Sequence, residues 1–203
     1  MGAVGEWVGR LHRLGLPLVE QAPFELSYGN HPHGALLSHM LRRAKATAPP
    51  EAEGVRKRAV CALAEVQGIL QPRLPGLPHG VVHGDMHFWN VLYAGERPVA
   101  IIDLDFLQSG PLLYDIAYAS IWLTAWERDR AGEWQGVLDR YLAAYEQGRQ
   151  RELTPTEREC LPWARVLHDL FFFLSGVYHS WDRLPHCIAD LESAEEMVRS
   201  LTS

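Results

Sequence analysis

The chain has few cysteines, and their placement argues against cross-linking. Only Cys61, Cys160 and Cys187 occur among its 203 residues. An odd number of widely separated cysteines suits neither the paired framework of a small secreted domain nor the closely spaced pairs of a zinc ribbon. We therefore expect reduced thiols and no structural disulfide.

Long apolar runs are also missing. The longest, Asp169–Tyr178, contains polar residues and is too short to span a bilayer. The first residues, Met1–Trp7, lack the basic start and the apolar stretch of a secretory signal peptide. We therefore expect a cytoplasmic protein with no membrane partner.

An excess of positive charge is absent as well. The formal net charge is -6, and Lys45 and Lys57 are the only lysines in the chain. This balance is poorly suited to binding the phosphate backbone of a nucleic acid, because such binding depends on clustered basic residues. We expect no nucleic-acid partner.

What is present indicates a mainly helical protein. Hydrophobic residues make up 47% of the chain, which is enough for a sizeable core, and we expect residues 1–203 to form a single domain. The spacing of apolar residues and the positions of Pro and Gly predict the helices. They are 3–14, one near 36–41, one from Thr47 to about Gln71, 112–126, 132–146, 154–178 starting with a capping box, and about 185–201.

The centre of the chain has a different pattern. Val81 and Val82 predict a short extended segment, and the β-rich runs 91–93 and 99–102 predict a hairpin. Pro17 and Pro23 predict a loop after the first helix. The predicted fold class is therefore mainly α with a small β-hairpin element.

Polar residues with recognisable chemistry surround this β element. Phosphoryl transfer to a hydroxyl needs a carboxylate that accepts or orients the hydroxyl proton, and oxygen ligands for the metal ions that bridge the phosphates. Asp85 and Asn90 have the spacing of the aspartate and asparagine in a kinase catalytic loop. Asp103 follows the apolar run that ends the predicted hairpin, as a second metal-binding aspartate should. The hairpin is short enough to bring Asn90 and Asp103 together.

Three motifs in this region resemble the signature of the aminoglycoside phosphotransferase family, which includes choline and ethanolamine kinases and homoserine kinase-like proteins. They are HGDMHFWN at 83–90, IDLD at 102–105 and GPLLYDIA at 110–117. The resemblance covers nearly the whole chain in order and spacing. It implies the C-terminal lobe of a protein-kinase-like fold and transfer of the γ-phosphoryl group of ATP to the hydroxyl of a small molecule, with Mg²⁺.

The resemblance also implies roles for individual residues. Asp85 is expected to be the catalytic base, or to orient the hydroxyl. Asn90 and Asp103 are expected to hold Mg²⁺ and, with it, ATP. A small molecule with a hydroxyl group is the expected substrate, and its identity stays open among an aminoglycoside, choline, homoserine, a sugar or another alcohol.

Supporting roles follow from the same resemblance. His83 is expected to hold the loop by hydrogen bonding, and Asp115 to pin the loop from the following helix. Asp105 either supports the metal site or merely ends the hairpin. His12 is interpreted as an ordinary surface or packing histidine.

One expected part of the family is not found in this sequence. There is no G-x-G-x-x-G, and both lysines fall in or beside predicted helices and not in a strand. We therefore expect the N-terminal lobe that clamps the nucleotide to be missing, because the chain is a piece of a longer protein, is a natural truncation, or works with a partner. The intact catalytic motifs favour the first explanation. The surface on which that lobe docks also makes self-association plausible.

Two alternatives from other classes stay open. His79, His83, Asp85 and His87 could form the metal cluster of a hydrolase, although alternate residues on a strand lie about 7 Å apart and need a bend to reach one zinc ion. That cluster leaves Asn90 unexplained. The second alternative is a non-catalytic binding module built on a kinase lobe, whose mark is good folding without nucleotide binding.

Overall fold

The computed structural model describes residues 2–21, 34–128 and 134–203. Within those ranges the chain is mostly helical, with a small β element, as predicted. The helices are α1 (Gly2–Gln21), α2 (Gly34–Thr47), α3 (Glu53–Leu70), α4 (Leu113–Arg128), α5 (Trp134–Arg149), α6 (Pro155–His179) and α7 (Leu184–Thr202). The strands are β1 (His79–Val82), β2 (Val91–Ala94), β3 (Arg97–Ile101) and β4 (Gln108–Pro111). No helix in the described ranges is long and apolar enough to cross a membrane.

The chain divides into two compact units. The first combines Met1–His31 with Gly76–Leu161, and the second combines Pro32–Pro75 with Pro162–Ser203. Helix α6 begins in the first unit and continues in the second. All three polar motifs lie in the first unit, which therefore holds the whole candidate site.

Two small antiparallel sheets position the motifs in the first unit. Strand β1 pairs with β4, and His79 lies opposite Pro111. The predicted hairpin is present as β2 and β3, in which Val91 lies opposite Ile101. The β1–β4 pairing was not predicted, because Gln108–Pro111 contains glycine and proline and lacks the apolar alternation of a strand.

Helices α1 and α5 pack unusually close together in the first unit. A β-carbon at Gly9 would lie 2.2 Å from the carbonyl oxygen of Tyr145, and one at Gly148 would lie 2.0 Å from that of Glu6. Both positions therefore require glycine, since any side chain would force the helices apart. This approach brings the inner face of α1 within hydrogen-bonding distance of α5.

Helix α1 is longer than the sequence predicts. The predicted loop at Pro17 is wrong, because the helix continues to Gln21. A β-carbon at Gly15 would lie 2.6 Å from Cβ of Val81, so this part of α1 packs directly on β1. Such packing offsets the helix-breaking tendency of proline. Pro23 lies outside the described residues.

The start of α6 and the second unit follow the predicted pattern. The capping box is confirmed, since the backbone N–H of Glu157 donates to Oγ1 of Thr154 at 3.1 Å and that of Thr154 donates to Oε2 of Glu157 at 2.8 Å. In the second unit, α3 packs against α2 and α7. Nε1 of Trp181 donates to the carbonyl oxygen of Ala44 at 3.2 Å, which ties the segment before α7 to α2.

Candidate active site

The segment His83–Asn90 forms a loop between β1 and β2, and it begins with a sharp turn. Gly84 has φ 84°, a left-handed conformation that favours glycine. A β-carbon there would lie 2.4 Å from the carbonyl oxygen of Phe106. The loop therefore packs backbone to backbone against the segment that follows Asp103.

Asp115, near the start of α4, holds the backbone of this turn. Its Oδ2 accepts a hydrogen bond from the backbone N–H of His83 at 2.6 Å, and its Oδ1 accepts one from that of Gly84 at 3.0 Å. The carboxylate is fully buried. A buried carboxylate that accepts several N–H bonds fixes the groups that donate to it, because losing any bond would leave a buried polar atom unsatisfied.

His83 links the loop to the hairpin. Its Nε2 lies 2.9 Å from the carbonyl oxygen of Ile102, and its Nδ1 lies 3.3 Å from the backbone nitrogen of Asp85. A carbonyl can only accept, so Nε2 carries the proton and Nδ1 accepts from the amide of Asp85. The imidazole thus fixes Asp85 on one side and the residue before Asp103 on the other.

The side chain of Asp85 is held on both of its oxygens. The hydroxyl of Tyr118 donates to Oδ1 at 2.7 Å, and Nδ2 of Asn90 lies 3.3 Å from Oδ2. Burial, and next the bond to Asp85, raises the pKa of Tyr118 well above its usual value, so its hydroxyl keeps its proton and acts as a donor. These two contacts therefore give the carboxylate a defined orientation.

Asn90 and Asp103 supply oxygen atoms of the kind that Mg²⁺ prefers. Nδ2 of Asn90 donates to the carbonyl oxygen of Asp85 at 2.8 Å, which leaves the amide oxygen available as a ligand. The backbone N–H of Ile102 donates to the carbonyl oxygen of Asn90 at 2.9 Å, so Asp103 comes directly after this pairing. An amide oxygen and a carboxylate are, by their chemistry, suitable ligands for Mg²⁺.

The aspartates after the hairpin differ from the loop in being exposed to solvent. Asp103 adopts a left-handed conformation with φ 61° and ψ 64°, which is uncommon for a residue with a side chain. Asp105 lies in the short 3₁₀ turn Leu104–Phe106 and is also exposed. Its role, either supporting the metal site or ending the hairpin, stays a prediction.

The alternative of a zinc cluster is contradicted by this geometry. Both ring nitrogens of His83 are engaged in hydrogen bonds, so this imidazole has no nitrogen left to bind a metal ion. Across the described residues, no three His, Cys, Asp or Glu side chains converge on a point where they could share a metal ion. The alternation along a strand that suggested the cluster ends at Val82, where the loop begins.

Sequence reasoning missed two groups of residues at the site. Tyr118 and Trp122 follow Asp115 by one and two helical turns, so one face of α4 carries all three towards the loop. The ring of Trp122 lies 5.8 Å from His87 and 5.5 Å from Trp89, measured between centroids, in edge-to-face arrangements. The helical spacing from Asp115 was the signal that could have identified Tyr118.

The other omission is the hydrogen bonding of His12, which was interpreted only as an ordinary surface or packing histidine. It is fully buried, and its Nε2 lies 3.0 Å from Oδ2 of Asp115. The sequence held a signal for burial, since His12 follows the buried Val4 and Val8 at intervals of four along α1. The partner could not be read from the sequence, because Asp115 is 103 positions away.

Homoserine kinases are among the characterised proteins that this chain resembles. The homoserine kinase of Parvibaculum lavamentivorans is 31% identical over 126 residues, which cover 62% of this chain and 38% of that protein. The homoserine kinase of Afipia carboxidovorans is 28% identical over 202 residues, covering 98% of this chain and 57% of that protein. The chain thus spans at most 57% of the length of these two relatives.

A solved structure shows a similar fold, and a family profile matches most of the chain. An amicoumacin kinase bound to AMP-PNP, Ca²⁺ and Ami superposes with a TM-score of 0.65 at 16% identity, covering 96% of this chain and 58% of that one. At this identity the likeness shows a kinase-like fold alone. The profile described as the phosphotransferase enzyme family (APH) matches residues 1–157, which is more than half of the chain. The chain therefore belongs to the APH phosphotransferase enzyme family.

Proposed function

We propose that this chain is the C-terminal catalytic lobe of an ATP-dependent kinase that phosphorylates a hydroxyl group of a small molecule. The observation that carries the proposal is the arrangement of Asp85, whose carboxylate is oriented by Tyr118 and lies beside Asn90. A carboxylate next to a candidate metal ligand is what in-line phosphoryl transfer requires. Membership of the family supports the reaction class.

In this proposal Asp85 orients the substrate hydroxyl and accepts its proton. The hydroxyl oxygen forms a bond to the γ-phosphorus of ATP, the bond from that phosphorus to the bridging oxygen breaks, and ADP leaves with the electron pair. The bond from Tyr118 keeps the carboxylate in one orientation, so less ordering is needed when the substrate binds. Positioning of this kind accounts for a large share of kinase catalysis.

Asn90 and Asp103 would hold Mg²⁺. An ion held by these two residues would neutralise the negative charge that develops on the phosphates during transfer. Asn90 is held in place by its bonds to Asp85, whereas Asp103 is exposed on the adjacent segment. The glycine-rich motif that covers the phosphates does not occur in these 203 residues, so we assign only the base and the metal ligands to this chain.

The substrate class is a small molecule with a free hydroxyl. Two relatives are homoserine kinases, and the solved structure with a similar fold is a kinase for amicoumacin. Homoserine is therefore the first acceptor to assay, followed by other amino alcohols and aminoglycosides. A shared fold accepts many different substrates, so the acceptor must be found by experiment.

The proposal is tested by calorimetric titration of the chain with Mg-ATP. We expect binding by the wild type and a loss of affinity of about tenfold or more in Asp103→Ala, since a metal ligand is removed. Glu96→Ala is the matched control, because it removes an exposed carboxylate from the turn at the far end of the same hairpin, and we expect its affinity to stay within about threefold of wild type. Equal binding by wild type and Asp103→Ala, or no binding by a well-folded wild type, would contradict the proposal.

Turnover separates the role of Asp85 from that of the metal ligands. We expect Asp85→Ala to bind Mg-ATP nearly as well as wild type but to transfer phosphate to the acceptor about 10²–10⁴ times more slowly. The readout is ADP formation in the presence of homoserine. An Asp85→Ala variant that turns over at the wild-type rate would show that this carboxylate is not the base.

A further inference from the structure

A network of hydrogen-bonded, buried polar side chains extends from the candidate catalytic loop through the first unit. It starts at Asp115, which accepts the backbone N–H groups of His83 and Gly84. Nε2 of His12 on α1 lies 3.0 Å from Oδ2 of Asp115, and Nδ1 of the same ring lies 2.9 Å from the hydroxyl of Tyr145 on α5. Helices α4, α1 and α5 thus each contribute one side chain to this network.

The network of side chains continues to the start of α6. The guanidinium of Arg149 lies over the ring of Tyr145, 5.8 Å from its centroid. Its NH1 group pairs with Oε1 of Glu157 at 2.7 Å, and both of these side chains are buried. Glu157 is the residue that closes the capping box with Thr154. The contacts therefore join the loop, which ends at Asn90, to the N-terminus of α6, which begins at Pro155.

Hydrogen-bond chemistry fixes the direction of the central contacts. The carboxylate of Asp115 can only accept, so Nε2 of His12 donates to it. In a neutral imidazole the other nitrogen is then an acceptor, and the hydroxyl of Tyr145 donates to Nδ1. This assignment of the tautomer satisfies every member from Tyr145 to the two loop amides.

A histidine in this place serves a different purpose from packing. A leucine would fill the same buried position without needing two partners on two other helices, and each buried polar atom costs stability unless it is paired. At its other end the network contacts backbone amides of the loop and not solvent. Its bonds therefore act on the orientation of the Asp115 carboxylate, and through it on the turn before Asp85.

We propose that His12 and Tyr145 are positioning residues for the loop that carries Asp85 and Asn90, acting through Asp115. This inference rests on the proposed function, since the loop is the site at which that function assigns the base and a metal ligand. Without the hydroxyl of Tyr145, Nδ1 of His12 loses its donor and the ring is free to change tautomer or rotate. Asp115 then holds the amides of His83 and Gly84 less firmly.

Amide hydrogen exchange at His83 and Gly84, followed by NMR, tests the proposal directly and needs no nucleotide. Tyr145→Phe keeps the ring and removes only the hydroxyl. We expect exchange at these two amides to become about fivefold faster relative to interior amides of α4. A change of this size corresponds to the net free energy of roughly one hydrogen bond.

Tyr141→Phe is the matched control. Tyr141 is also a fully buried tyrosine of α5, but within the described residues its hydroxyl has no hydrogen-bond partner. We expect loop exchange in this variant to stay within about twofold of wild type. Equal loop exchange in the two variants, or a common rise in loop and α4 amides in Tyr145→Phe, would overturn the proposal in favour of a purely structural role.

Titration with Mg-ATP completes the experiment. We expect Tyr145→Phe to bind Mg-ATP more weakly than Tyr141→Phe, by about threefold to tenfold, since Asn90 sits on the loosened loop. Equal affinities of the two variants would count against the proposal. A wild-type chain that binds no Mg-ATP would overturn the proposed function, while the exchange measurement would still decide whether His12 and Tyr145 position the loop.

Discussion

The two halves of the candidate site are built differently. The loop His83–Asn90 is held by hydrogen bonds to both its backbone and its side chains, and the carboxylate at its base is fully buried. Asp103 is exposed, and so are its neighbours Ile102 and Leu104. The half that carries the candidate base and one candidate metal ligand, Asn90, is held in place, whereas the half that carries the other candidate ligand, Asp103, is open to solvent.

This difference has a physical reason. A base must hold its orientation before the substrate arrives, because ordering it during the reaction would cost rate. A metal-binding carboxylate such as Asp103 gains its main partner only with the ion, and exposure keeps it hydrated until then. The left-handed backbone of Asp103 adds strain of the kind that is found at functional sites.

The largest expected effect comes from removing the group that holds the loop. Asp115→Ala leaves the amides of His83 and Gly84, and Nε2 of His12, buried without an acceptor. We expect the free energy of unfolding to fall by about 3–5 kcal/mol, as measured by urea denaturation. Asp115→Asn keeps one acceptor oxygen and is expected to lose less. Equal losses in the two variants would show that the hydrogen bonds are not the cause.

A glycine pair tests how tightly the loop is packed. Gly84 and Gly95 both have positive φ, but only a β-carbon at Gly84 would meet other atoms, the nearest being the carbonyl oxygen of Phe106 at 2.4 Å. We expect Gly84→Ala to lower the unfolding free energy by about 3 kcal/mol and Gly95→Ala by about 1 kcal/mol. The smaller value is the cost of a left-handed backbone for alanine, and the larger one adds the steric clash with Phe106. Similar losses would mean that the loop can move away from Phe106.

The smallest expected effect on stability belongs to the open half. In Asp103→Gly the left-handed strain is relieved while the unfolded chain gains freedom, so we expect the unfolding free energy to change by less than about 1 kcal/mol. Binding of Mg-ATP is nevertheless expected to fall by about tenfold or more. Asp103→Ala, which keeps the strain, should be the less stable of the two variants. A large loss of stability in Asp103→Gly would show that Asp103 also contributes to the fold, which would contradict the difference between the two halves.

Much of the secondary structure could be predicted from local pattern. The final helix, expected over about 185–201, is present as Leu184–Thr202, and the capping box at Thr154 begins α6. The fourth helix was placed within two residues of its observed ends, Leu113 and Arg128. The capping box of α6 and the proline in the first turn of α7 are signals that act over a few residues and can be read without a structure.

The features that were predicted wrongly, or not predicted, share a cause. Helix α1 passes through Pro17 because Gly15 packs on Val81, and β4 forms because β1 lies beside it. In both places a contact between distant parts of the chain outweighs the local preference of the residues. The same holds for His12, whose partner Asp115 comes from another helix.

The sequence by itself determined the fold class, the motifs and their family, because spacing along a loop or a hairpin is a local property of the chain. It also led to the roles assigned to Asp85, Asn90 and Asp103, which stay predictions. Only the tertiary structure decided which side chains hold those residues. Tyr118, His12 and Tyr145 reach the loop because α1, α4 and α5 pack together at close range, and hydrogen bonds form only between groups that the fold brings within about 3 Å of each other.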